Sequence, residues 1–62
     1  MDADIKGSLK NINNLWQLFE HNGNRLSKIE VKKVLEYGLA MGYTAVSQIT
    51  DKEIEMVLKN QK

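Results

Sequence analysis

The chain contains no cysteine. Disulfides therefore cannot reinforce it, and thiolate zinc sites are excluded. No apolar run approaches the roughly 18 residues that cross a bilayer. The first residues, MDADIKGS, open acidic and lack the apolar stretch of a secretory signal. Charge of one sign is also scarce. The formal net charge is +1, whereas a nucleic-acid binder commonly shows a dense basic face. There is one histidine and one tryptophan. No glycine-rich phosphate loop, no Ser-His-Asp or Cys-His set and no carboxylate pair in an apolar setting occurs, so nothing points to an enzyme. The expectation is a soluble cytoplasmic protein with no membrane partner and no catalytic residues.

Sixty-two residues allow one domain, spanning 1–62. A chain of this size buries only about 60% of the surface that its unfolded form exposes. Tight helix packing, a bound ion or oligomerisation must make up for the thin core.

What the chain does have is helical patterning. Ile5, Leu9, Ile12, Trp16 and Phe19 are spaced four, three, four and three apart, which is one helical stripe. Leu15 and Leu18 widen it. Gly7 and Ser8 are poor helix-interior residues. These features predict a first helix that is firm from Leu9 to Phe19, with residues 1–8 frayed. Asp2 to Leu9 has D-x-D-x-x-G spacing but no acid at Asn13 to close a metal loop, so it reads as an N-cap region.

Asn22-Gly23 is a strong turn signal that stops the first helix. Ser27 and Glu30 form a capping box, and Leu26 with Val31 has the spacing of a hydrophobic staple. Val31, Val34, Leu35 and Gly38 share the inward face of a second helix, with Leu39 and Met41 beside it. Lys28, Lys32 and Lys33 form a solvated face. Gly42 ends this helix, with Tyr43 packing back. Residues 43–49 fit either a short extended piece or an extra turn. Thr50 and Glu53 make a second capping box, stapled by Ile49 and Ile54. Ile54, Val57 and Leu58 then face inward from a third helix, and Met56 lies nearer its edge. The predicted fold class is all-α, a small three-helix domain.

With the helices placed, Asn14 to Asn60 resembles an EF-hand of the calmodulin type. NLWQLFE is similar to the entering helix. NGNRLSKIEV is similar to the loop and the start of the exiting helix, and ITDKEIEMVLKN to the segment that opens the next helix in that family. The resemblance implies a helix–loop–helix with Glu20, Asn22, Asn24 and Glu30 at the metal-ligand positions. Arg25 would offer its backbone carbonyl. The loop is one residue short and has no glycine after the fifth ligand position, and only Glu20 and Glu30 bring negative charge. Fewer charged ligands weaken calcium affinity, and that glycine makes the turn around the ion. The expected loop is therefore EF-hand-like but calcium-independent, with no cofactor. Glu30 is accounted for by its capping box.

Four residues are candidates for contact with a partner. Trp16 lies on the apolar stripe, as core or as an interface anchor. Tyr37 falls off the main face of its helix, which predicts exposure. Met41 and Met56 suit an adaptable groove. His21 reads as an exposed histidine in a turn. The favoured function is a small protein–protein interaction module, or an inhibitor or regulator of a partner protein. Its partner is another protein or a second copy, because EF-hands usually pair. Small size without cysteine is also typical of phage- or plasmid-borne inhibitors of host proteins. One alternative is a DNA-binding helix-turn-helix regulator that reads with Lys52 and Lys59. Asp51, Glu53 and Glu55 on the same helix would meet phosphates badly, so nucleic acid is not the expected partner. The other alternative is a weak calcium-binding EF-hand protein.

Overall fold

In the computed structural model, which describes residues 4–60, Asp4 stands just before the first helix. It sits in extended conformation at an N-cap, and its Oδ2 accepts from the Gly7 N–H at 2.8 Å. A capping carboxylate satisfies one of the orphan amides of a helix start. Helix α1 follows over Ile5–Lys10. Helical order thus begins ahead of Leu9, which corrects the expected fraying for residues 4–8. Residues 1–3 lie outside the described residues. The cause is long-range. The Ile5 N–H donates to the Thr44 carbonyl at 2.9 Å, Asp4 bridges Ala45 in antiparallel fashion, and the Ile5 side chain is fully buried.

The single helix predicted from Leu9 to Phe19 is three pieces: the end of α1, helix α2 over Ile12–Leu15, and a 3₁₀ turn over Trp16–Leu18. Asn11 makes the first break. Its backbone N–H and its side-chain Nδ2 both reach the Gly7 carbonyl, each at 3.1 Å. Asparagine side chains compete with the backbone in this way, which makes them weak helix-interior residues. The stripe changes phase as a result. Trp16 and Phe19 still pack against the core, but Leu18 is 76% exposed.

The next segment forms a small ribbon, an addition to the expected all-helical content. Strands β1 (Glu20–His21) and β2 (Asn24–Arg25) pair antiparallel, Glu20 opposite Arg25 and His21 opposite Asn24. Asn22 and Gly23 have φ of 53° and 78°. Two successive positive φ values make a type I′ turn, which Asn-Gly favours and which matches strand twist.

Helix α3, Lys28–Ala40, starts on the predicted capping box. The Glu30 N–H donates to Ser27 Oγ at 3.2 Å, and the Ser27 N–H donates to Glu30 Oε1 at 2.8 Å. It ends with the Gly42 N–H on Leu39 O at 3.1 Å and the Tyr43 N–H on Gly38 O at 2.9 Å. That pair of bonds is the Schellman motif. The connection contains a 3₁₀ turn at Val46–Gln48. Gln48 Oε1 ties it down by accepting from the Thr44 and Ala45 N–H groups at 2.7 and 3.0 Å. Helix α4, Asp51–Lys59, is capped by Thr50 and Glu53 as predicted.

The helical pieces other than α3 all pack against α3. Ile5, Leu26, Val31, Val34, Leu35 and Ile49 are buried around it. Burying one such aliphatic side chain stabilises by about 1.5–3 kcal/mol. Gly38 lies on the face of α3 where two of them arrive. A Cβ at that position would lie 2.7 Å from Ile49 Cδ1 and 2.9 Å from Ile5 Cδ1. Among the described residues, no helix is long and apolar enough to cross a membrane.

Gly38→Ala is expected to destabilise the protein by about 1–2 kcal/mol in denaturant unfolding. Overpacking outweighs alanine's better helix propensity of up to about 1 kcal/mol. Adding Ile49→Val removes the closest methyl. The double variant should therefore lose less than the sum of the two single changes.

Candidate functional site

The face between α3 and α4 is organised by one carboxylate. Glu53 is the third residue of α4, so its backbone N–H and its side chain both turn back to Thr50. Oε1 accepts from the Thr50 N–H at 2.9 Å and from Thr50 Oγ1 at 3.0 Å. The other oxygen, Oε2, accepts from Tyr37 Oη on α3 and from Tyr43 Oη just past it, both at 2.8 Å. Tyr37 was expected to be exposed. It is half-buried, with its hydroxyl taken by Glu53. Sequence patterning found the local half of this cluster, the capping box. The distant half is missed, because nothing in the spacing of Tyr37, Tyr43 and Glu53 announces that they meet.

These bonds shift the titrations. The Thr50 N–H, then the Tyr43 and Tyr37 hydroxyls, hold the Glu53 carboxyl down at about 2, below the ordinary 4.5. Both phenols are pushed up, first because each donates to the Glu53 carboxylate, then by desolvation and by the negative charge beside them.

Beside Glu53, an open groove of about 410 Å³ runs between the two helices, lined by Lys33, Glu36, Tyr37, Met56, Val57 and Asn60. It brings together two of the four candidate partner residues, Tyr37 and Met56. Met56 is 45% exposed. Met41 is exposed at the C-cap of α3, outside the groove lining. Trp16 is half-buried against the core. Among the described residues, Leu18 and Ile29 are the most exposed of the large apolar side chains, and neither lines the groove.

The four EF-type ligand positions fall on the hairpin and the start of α3. Glu20 and Asn24 lie on opposite strands, paired with Arg25 and His21 respectively. Asn22 is in the turn, where its side chain reaches His21 and Glu55. Glu30 is engaged with the Ser27 amide. Among the described residues, no three His, Cys, Asp or Glu side chains gather as a metal site.

His21 departs from expectation. It is not exposed: its side chain is only 8% accessible, held between Asp51 and Glu55 of α4. The available signal was the four-residue spacing of those two acids, which puts both on one helical face. No family model matches the chain, and no curated protein or solved structure matches it either.

The pH dependence of stability follows from the signs. The folded value of Glu53 lies below its ordinary one, so its contribution is complete above about 4.5 and is lost as pH falls towards about 2. The tyrosine values are raised, so their contribution is complete below 10.0 and is lost above it. Urea midpoints measured across the acid range should fall in that window for the natural chain. Glu53→Gln should flatten the fall, and Tyr37→Phe should move the Glu53 titration upward in carboxyl NMR.

Proposed function

We propose that the chain is a small protein-interaction module, an inhibitor or regulator of a partner protein, that engages its partner through the groove between α3 and α4. The observation that carries this reading is the groove itself. Met56 and Val57 give it an apolar floor beside the fixed ring of Tyr37, and Lys33 and Glu36 put opposite charges on its rim. A partner segment with an apolar anchor and flanking polar groups fits that chemistry, as in helix-in-groove recognition. Tyrosine and methionine suit such surfaces, the first as a rigid amphipathic contact and the second as an adaptable one.

An EF-hand-like arrangement that works without calcium is part of this reading. Its support is the order of helix, tight turn and capped helix, together with the use of the Glu30 carboxylate on Ser27. The closing ligand of a calcium loop must turn both oxygens to the ion, and Glu30 Oε1 is already bonded at the helix start.

Affinity capture from the native host with the whole chain, with and without chelator, tests the proposal. Capture should persist in chelator and be lost with Met56→Glu, whose thermal midpoint should stay within about 2 °C of the natural chain because the site is exposed. Equal capture by the variant rules the groove out. Calcium at millimolar concentration should leave the amide resonances of Asn22 to Glu30 in place, and a saturable shift there rules out calcium independence.

A further inference from the structure

A second cluster, where the hairpin meets α4, plays no part in the groove. The His21 ring presents its two nitrogens to different acids. Nδ1 lies 3.8 Å from Asp51 Oδ1, and Nε2 lies 3.7 Å from Glu55 Oε1. The side-chain nitrogen of Asn22 stands between Nε2 and Oε1, 3.2 Å from the first and 3.4 Å from the second. An ionised carboxylate only accepts, so the amide turns its NH₂ end towards this pair. The ring nitrogen facing it is then the acceptor. One nitrogen lone pair and one carboxylate lone pair therefore converge on a single donor group.

We propose that this convergence is a binding site for a divalent cation of the zinc class. His21 Nε2 and Glu55 Oε1 are the first two ligands. The Asn22 amide, turned to present its oxygen, is the third, and solvent completes a tetrahedral shell. Ligand bonds of about 2.0–2.1 Å in a tetrahedron place neighbouring donors about 3.3 Å apart. His21 Nε2 and Glu55 Oε1 lie 3.7 Å apart, and the Asn22 nitrogen, whose place the oxygen takes when the amide turns over, lies 3.2 and 3.4 Å from them. Asp51 Oδ1, 3.8 Å from Nδ1, stands on the side where metal-bound histidines have an outer carboxylate. One donor is an amide, which is why imidazole and carboxylate groups alone do not reveal the set. An imidazole ligand favours zinc-like ions over calcium, which takes oxygen. The site joins the tip of the hairpin to the first half of α4, so the ion would bind two elements that the His21 and Asn22 side chains already link.

The test is a titration of the ¹⁵N-labelled whole chain with zinc sulfate in a non-coordinating buffer near pH 7. Saturable one-to-one binding is expected, with the His21 Nε2 resonance moving most and the thermal midpoint rising. Glu55→Gln and Asp51→Asn alter exposed carboxylates, 61% and 85% accessible, so both variants should keep the natural circular dichroism spectrum. Affinity should fall about tenfold or more in each, the outer-partner effect for Asp51 being about 10–100-fold. Calcium should leave the His21 ring resonances unmoved. Three results overturn the site: no movement of the His21 ring at millimolar zinc, zinc binding that moves other residues instead, or undiminished affinity in Glu55→Gln.

Discussion

The bare backbone at Gly38 is the constraint on which the packing depends. Ile5 arrives there from the first turn of the chain and Ile49 from the residue before the cap of α4. With no Cβ in the way, both δ-methyls reach the body of α3, and the outer pieces close over one central helix. Without cysteine the chain has no covalent substitute for this approach. A small domain has few core positions, and here one missing side chain decides whether two of the buried ones fit.

Around that centre, polar groups tie elements together in pairs. Glu53 caps its own helix with one oxygen and gathers two tyrosines with the other. Local and tertiary structure thus share one carboxylate. The same acid that sets the start of α4 also fixes the wall of the groove. His21 and Asn22 do the matching work at the hairpin, where one turn orients two side chains towards α4. Among the described residues, no buried side-chain nitrogen or oxygen lacks a hydrogen-bond partner.

Features set within four residues of chain were legible in the sequence. Both capping boxes, the Asn22-Gly23 turn, the end of α3 at Gly42 and the inward set Val31, Val34, Leu35 and Gly38 depend only on local spacing. What was missed depends on a partner far along the chain. Helix α1 starts early because Thr44 receives Ile5. Tyr37 is occupied because Glu53 comes to it. His21 is covered because Asp51 and Glu55 flank it. The break at Asn11 is the exception. Its cause is local, the Asn11 side chain on the Gly7 carbonyl, yet the regular apolar spacing across it reads as one unbroken helix. Of the groove, the sequence supplied Tyr37 and Met56 as separate candidates. Only the packing of α4 on α3 sets them side by side.

The position of Ile5 also has a consequence for the order of events during synthesis. Helix α1 is made before α3 and α4, yet the Thr44 carbonyl, the Ala45 bridge and the Ile49 side chain at Gly38 all reach it from later in the chain. At roughly 5–20 residues per second, Ile5 waits some seconds for them. An isolated helix of this length is marginal in water, so until α3 is made it has no partner to hold its shape. The N-terminal piece therefore completes its contacts only when residues 44–49 reach it.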